Sequence, residues 1–349
     1  MLVPELEYSL HHALLEDRWY FGKRFGQIGH PFIWVDGDAE ATQHPVLSLT
    51  QHFASWFSTY YETFEIPDIL RDSSGGVEHS IRQRLMDLTK FFGLDKVFES
   101  TEYDTYLTSH ARSRTIDLRT LQLFAPDLNL KKMKHLDFGP GMAGNAILNS
   151  LLNDKTGSYL AVEVNDANYA LQRQNLSFIA ASQGFFYTDY LAQETMKRSS
   201  EKSIYELKPG YAQIPSWRLS KVNLESFDLI TATTVLNEIN YAGIGYFVEQ
   251  VLRLLKVGGY LYIKDSAKTK PGRHNIDYEK FLIEAGFEQV SKLDNLEHRK
   301  NIHGVPRLYK RIKHSLLDFE TIMETFTGHT AMTLHGDSKV QNIESQYLK

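Results

Sequence analysis

His135-Leu-Asp-Phe-Gly-Pro-Gly-Met-Ala-Gly144 reads as a buried strand that breaks into a glycine turn and opens a helix. A turn of this kind brings backbone close to a nucleotide-like ligand, because glycine takes tight conformations and leaves no Cβ in the way. Gly139, Gly141 and Gly144 satisfy the G-x-G-x-x-G spacing of dinucleotide-binding folds. The spacing alone is common. Asp137, two residues before the first glycine, adds the informative detail, since a carboxylate at a strand's carboxyl end can accept hydrogen bonds from a ligand's amine.

Around this turn the chain divides into two patterns. From Lys132 onward, short β-rich runs alternate with helical stretches, which is the pattern of βα units in a parallel sheet. Strands are predicted over Lys134 to Phe138, Tyr159 to Val164, Tyr211 to Pro215, Phe227 to Thr233 and Tyr260 to Asp265. Helices are predicted from Ala143 to about Asn153, from Asp166, from Ile244 to Leu255 ending at Gly258-Gly259, and from Tyr278 to Ala285. Residues 287–293 and 305–312 can pair as a closing hairpin, with Pro306 suited to a strand's beginning or an edge. Before Lys132 the spacing is helical, over 45–61, over Val77 to Phe92 with Gly93 as C-cap, and over Ser113 to Phe124.

The expected organisation is therefore a mainly helical N-terminal cap or substrate domain over 1–130 and an α/β nucleotide-type domain over 131–315, followed by a helix and polar tail over 316–349. An insertion falls at about 176–208, amphipathic over about Leu176 to Lys197 and then a polar, exposed loop. The chain of 349 residues, with 42% hydrophobic and 23% charged residues and a formal net charge of -5, is an ordinary globular composition. Nothing in it points to nucleic acid as the partner. Cysteine is absent, which excludes disulfides, thiolate zinc sites and a cysteine nucleophile. The amino terminus lacks a signal-peptide pattern, and no window approaches the roughly 20 apolar residues of a membrane span. These features set the expectation of a soluble cytoplasmic protein without a membrane partner.

Glu163 closes the second strand roughly 20 residues after the turn, the spacing at which an acid reaches ribose hydroxyls in doubly wound folds. Together with Asp137, the Phe227-Asp228 start of the fourth strand and the Leu255-Lys-Val-Gly-Gly-Tyr turn into the fifth, the order resembles a class I S-adenosylmethionine-dependent methyltransferase over about 132–313. Ala143 stands where many members have the third glycine. The resemblance implies a Rossmann-like sheet with helices on both faces, S-adenosylmethionine as cofactor and S-adenosylhomocysteine as product. It implies cofactor-binding roles for Asp137, Gly139, Pro140, Gly141, Gly144, Glu163 and Thr233. Arg112 and Arg114, just before this domain, are candidates to clamp a carboxylate of the cofactor or the substrate. A nicotinamide dehydrogenase would also use the glycine pattern. Asp137 disfavours it, because an acid at the turn opposes an anionic pyrophosphate and suits a cationic, phosphate-free cofactor.

A looser similarity, to bacterial sugar O-methyltransferases, rests on Ile214-Pro-Ser-Trp217, Thr234-Val-Leu-Asn-Glu-Ile239 and His303-Gly-Val-Pro-Arg-Leu-Tyr309. It implies a small-molecule acceptor such as a saccharide, and cofactor-binding positions for Ser216 and Trp217 beside the adenine, with Trp217 either stacked on the base or packed in the core. A protein or a polyketide or peptide natural product is the alternative acceptor, and an assembly of identical chains is compatible with the sequence. Glu238, Asp265 and His274 all follow strands on the ligand side, and each can take a proton from a hydroxyl. The alternatives are a dipole-stabilising helix carboxylate for Glu238 and a solvated loop residue for His274. A divalent metal held by these three is left open; no metal ligand set is assigned.

Overall fold

The computed structural model describes residues 66–71, 74–96, 100–141, 143–163, 166–197, 205–236, 241–265, 278–293, 305–322 and 324–325. The helix expected over 45–61 lies outside them. Helix α1 spans Gly76–Phe91 and α2 spans Ser100–Phe124. They lead into β1 (Lys134–Phe138), α3 (Gly144–Leu152), β2 (Ser158–Glu163) and α4 (Asp166–Gln183). Next come β3 (Tyr187–Asp189), α5 (Tyr190–Lys197), β4 (Gly210–Pro215) and β5 (Phe227–Thr233). The fold closes with α6 (Tyr241–Leu254), β6 (Leu255–Asp265), α7 (Tyr278–Glu284), β7 (Phe287–Lys292) and β8 (Val305–Arg311).

The strands form one sheet in the order β3-β4-β2-β1-β5-β6-β8-β7. All neighbours are parallel up to β6, and β8 runs antiparallel to both β6 and β7. This is the Rossmann-like sheet of the class I methyltransferase fold. Its central strands are covered on both faces, so nearly every residue of β1, β2 and β4 is buried. Leu136, Phe138, Val162, Ile230, Ala232 and Ile263 pack on one face against α6 and α7. On the other face Tyr159, Ala161 and Tyr211 meet α1, α2, α3 and α4, and Leu229, Tyr260 and Leu308 meet the end of α2. Among the described residues no helix is long and apolar enough to cross a membrane.

Helix α2 starts thirteen residues before the expected Ser113, because its first half is polar and masks the apolar period. Its buried threonines satisfy themselves inside the helix: the Thr115 and Thr120 hydroxyls each donate to the carbonyl four residues back at 2.8 Å. Gly258-Gly259 is not the end of a helix. It lies inside β6, where the pairing with β5 shifts register between Phe227 and Leu229, and a Cβ on Gly259 would stand 2.9 Å from Leu255 Cδ1. Pro306 does sit near the beginning of β8, but β8 is an inner strand. The proline is tolerated because β7 reaches only to Arg307, so Pro306 is paired with β6 alone.

The stretch expected as one amphipathic unit over 176–197 is broken by a strand. Gly184 turns the chain at φ 67° and β3 adds an edge next to β4. Asp189, 7% exposed, explains the break. Its Oδ1 accepts the Ala192 N–H at 2.9 Å, capping α5, and the Tyr169 hydroxyl at 2.9 Å. Its Oδ2 accepts from Arg173 Nε and Nη2 at 2.8 and 2.6 Å and from Gln213 at 2.9 Å. Removing one member of such a buried pair strands the other charge. Asp189→Ala is expected to lower the unfolding free energy in urea by about 3–5 kcal/mol, and the double change Arg173→Met, Asp189→Ala to recover part of that loss. Equal destabilisation in the single and double variants would show that the pair is not the source.

Candidate functional site

From β1 the chain winds outward through β2 and β4 in one direction and through β5 and β6 in the other. The crevice beyond the carboxyl ends of β1 and β5 is the topological switch point, where open α/β sheets bind ligands. The glycine turn lies there. Gly139 has φ 62° and its N–H donates to Val162 O at 2.8 Å; Gly141 has φ 53°, and Ala143, at φ 63°, donates its N–H to Pro140 O at 2.8 Å. A Cβ on Gly139 would stand 2.3 Å from Val235 Cγ2, so glycine is demanded there by crowding as well as by backbone angle. Gly144 serves a different purpose, since a Cβ on it would stand 3.3 Å from Arg114 Cδ. The third glycine of the pattern makes room for an arginine.

Asp137 is buried at 1% exposure and points to the face of the sheet that α2 and α3 cover. Its Oδ1 accepts from Thr231 Oγ1 at 2.6 Å and Asn145 Nδ2 at 3.1 Å, and its Oδ2 accepts from the Tyr159 hydroxyl at 2.6 Å. Burial raises its pKa, against the pull of these three donors and of the nearby Arg114 charge. Arg114 itself donates to Asn145 Oδ1 at 2.8 Å and pairs with Asp117 Oδ2 at 3.1 Å. Asp117 Oδ1 in turn takes Lys264 Nζ at 2.5 Å and the Tyr262 hydroxyl at 2.5 Å. Lys264 also donates to Ser113 Oγ at 2.8 Å, and burial pushes its pKa down to about 8 despite Asp117. The two acids and two bases of this seam balance in charge.

Glu163, also 1% exposed, ends β2 beside the turn. Gln172 of α4 joins the two, its Nε2 donating to Glu163 Oε2 at 2.7 Å and to Gly141 O at 2.9 Å. Three buried polar atoms near these strand ends have no hydrogen-bond partner among the described residues: Gln172 Oε1, Ser216 Oγ and Thr233 Oγ1. Ser216 follows β4 and Thr233 ends β5, so the orphans flank the crevice on both sides. Thr234, next in line, holds φ 56°, a conformation costly for a β-branched residue and concentrated at ligand sites. Two carboxylates, a bare glycine turn and the unpartnered oxygens of Ser216, Thr233 and Gln172 suit a ligand that has hydroxyls and a cationic amine, and Asp137 at the turn opposes a phosphate.

The structure thus brings Asp137, Gly139, Pro140, Gly141, Gly144, Glu163, Ser216, Thr233 and Arg114 to one end of the sheet. Trp217 continues from Ser216 in a 3₁₀ turn, and only its backbone is described. Glu238 and His274 lie outside the described residues, and of Asp265 only the backbone, paired with Val305, is described. Arg112 is turned away and pairs with Glu78 at 3.2 Å. Asp228 is structural, accepting the Lys134 N–H at 2.8 Å and Lys256 Nζ at 2.6 Å. Tyr159, Thr231, Gln172, Asp117 and Lys264 were not singled out from the sequence. The available signal was period-two alternation: Thr231 directly faces Asp137 in the β1–β5 register, and Lys264 is two residues from Tyr262 on β6.

No family model matches the sequence, and no curated protein matches it. Similar solved structures include the phosphoethanolamine N-methyltransferase 1 of Haemonchus contortus in complex with phosphoethanolamine and S-adenosylhomocysteine, at 10% identity and a TM-score of 0.41 over 83% of this chain. This chain spans only 56% of the length of that one. The magnesium protoporphyrin IX methyltransferase of Synechocystis PCC 6803 with bound S-adenosylmethionine matches 66% of this chain and 97% of its own, at 12% identity and a TM-score of 0.41. The arsenic(III) S-adenosylmethionine methyltransferase of Chlamydomonas reinhardtii matches 52% of this chain and 62% of its own, at 14% identity and a TM-score of 0.34. These are likenesses of fold, and the narrower similarity to sugar O-methyltransferases rests on sequence motifs alone.

Proposed function

We propose that this chain is an S-adenosylmethionine-dependent methyltransferase acting on a hydroxyl of a small metabolite, with a sugar as the favoured acceptor class. The observation that carries the reading is the pair of buried carboxylates, Asp137 and Glu163, joined across a glycine turn through Gln172. Glu163 would serve the ribose of a dinucleotide equally well, but a carboxylate at the turn itself, Asp137, is the reverse of what a pyrophosphate needs. It matches a cofactor with an amino group and a sulfonium. The sugar assignment draws on Ile214-Pro-Ser-Trp217, Thr234-Val-Leu-Asn-Glu-Ile239 and His303-Gly-Val-Pro-Arg-Leu-Tyr309.

When bound, S-adenosylmethionine supplies a methyl group already activated on sulfur and leaves S-adenosylhomocysteine as product. The chain's own residues hold and orient. Glu163 takes the ribose hydroxyls, a task a carboxylate performs better than a neutral side chain because it accepts from both. Asp137 provides the negative charge for the amine, and Arg114, beside Gly144, provides a positive one for the carboxylate. Ser216 and Thr233 offer their unpartnered hydroxyls, and Trp217 a ring for the base. Orienting the two reactants supplies most of the rate. A hydroxyl acceptor must also lose its proton, and Glu238, Asp265 and His274 are the bases in reach by sequence position.

Isothermal titration with S-adenosylhomocysteine and, separately, with NADH tests the class. Binding of the first and not the second is expected, and failure of S-adenosylhomocysteine to bind would sink the assignment. Glu163→Gln, which keeps the size of the side chain, is expected to weaken S-adenosylhomocysteine by about tenfold to a hundredfold, the loss of roughly 1.5–3 kcal/mol from charged hydrogen bonds. Unchanged affinity in that variant would remove Glu163 from the site. Transfer of a labelled methyl group to a panel of sugars, hydroxylated metabolites and proteins then tests the acceptor; labelling of proteins alone would overturn the small-metabolite reading.

A further inference from the structure

His135 and Thr231 lie on neighbouring strands, on the same face as Asp137, and the proposed chemistry does not call on them. Thr231 has one hydroxyl proton and gives it to Asp137 Oδ1 at 2.6 Å. Toward His135 it can only accept, so the 2.7 Å contact from Nε2 places the imidazole proton on Nε2 and leaves Nδ1 a bare acceptor. The ring is neutral, because burial pushes its pKa down to about 3. Nδ1 is buried without a hydrogen-bond partner among the described residues, and so is the donor Asn149 Nδ2 of α3. Both residues line one small cavity of about 20 Å³, shared with Asn145, Leu148, Leu229 and Tyr262. Its walls are almost wholly apolar, so it offers a water no hydrogen-bonding lining, and both orphans stay unbridged.

We infer that His135 and Thr231 form a one-way chain of donors that ends on Asp137 and keeps its carboxylate ionised and in place for a cationic ligand group. Each link points the same way. His135 Nε2–H donates to Thr231 Oγ1, and Thr231 to Asp137, an arrangement in which each bond polarises the next. Asn145 of α3 donates directly to the same Asp137 oxygen at 3.1 Å, so the carboxylate ties α3 to β1 and β5. His135 and Thr231 are thus positioning residues that act through Asp137. The ligand itself is taken from the methyltransferase reading.

The charged and titratable groups around Asp137 are Tyr159 from β2, Arg114 and Asp117 from α2, and Lys264 from β6 behind Asp117. Of its hydrogen-bond donors, α3 and β5 contribute neutral ones, Asn145 and Thr231. Removing a donor to the ionised form must raise the pKa of Asp137, so affinity for a cationic group is lost at a higher pH as the solution is acidified.

The test is the S-adenosylhomocysteine dissociation constant by calorimetry from about pH 5 to 7.5, with His135 tautomer assignment by ¹⁵N NMR on the wild-type chain. Thr231→Val keeps the shape and donates nothing. Its acid midpoint of binding is expected to rise by about one pH unit, and Thr231→Ser to restore the wild-type midpoint. A loss of affinity equal at every pH, with the midpoint unmoved, would mean that Thr231 is structural only and would overturn the chain. NMR is expected to find the proton of His135 on Nε2, with His135→Gln removing the assigned signal; a proton on Nδ1 overturns the chain whether or not any variant folds. Wild-type protein that binds no S-adenosylhomocysteine at any pH defeats the methyltransferase reading, while the tautomer result still decides the chain.

Discussion

A carboxylate buried in the middle of a sheet is costly unless donors replace the water it gives up, and Asp137 meets that demand by recruiting every element around it. Thr231 comes from β5, Tyr159 from β2, Asn145 from α3, and the charge of Arg114 from α2. These are the elements that enclose the switch point. Misplacing any of them strands a buried polar group, so the acid ties the geometry of the glycine turn to the packing of the whole central sheet. Arg114 extends the same requirement to Asp117, Lys264 and Tyr262, and so fixes where α2 lies along the strands.

The two faces of the sheet accordingly differ in character. Against α6 and α7 the contacts are apolar, from Leu136 and Phe138 through Ile230 to Ile263. That face holds the largest of the apolar clusters. The face toward α2, α3 and α4 carries the polar seam, together with the Asp189 cluster and the Glu163–Gln172 bridge. Polar groups are retained there where charge is needed at the carboxyl ends of the strands. The orphaned Ser216, Thr233 and Gln172 atoms lie at this same end, which is where a ligand would complete their hydrogen bonding.

Much of the architecture was legible in the sequence because its signals are local. The β1 boundaries, Lys134–Phe138, and those of β5, Phe227–Thr233, follow from short apolar runs closed by turn residues. The closing hairpin and the α1 helix follow from the same reading. What was missed has a different origin. The three-residue β3 is too short to carry a period and exists because Asp189 gathers partners from α4 and β4. The first half of α2 is mostly polar in sequence, yet Tyr106, Leu107, Ser109, His110 and Ala111 are buried in space. Gly258-Gly259 looks like a helix end, and only pairing with β5 makes it a bulge. In the site, Asp137, Glu163 and the glycines announced themselves by spacing, whereas Thr231, Tyr159 and Gln172 acquire meaning only through cross-strand and helix–strand contacts.

By itself the sequence determined the βα alternation, the glycine turn after β1 and the two acids at strand ends. Each of these is set by residue type and short-range spacing, which are physical constraints on local backbone. Tertiary structure decided what those residues do. It turned Gly144 from a ligand-facing glycine into space for Arg114, surrounded Asp137 with three donors, and linked Glu163 to the turn through Gln172. Such roles depend on which side chains meet across 94 residues, as Thr231 and Asp137 do, and no local spacing encodes a contact of that range.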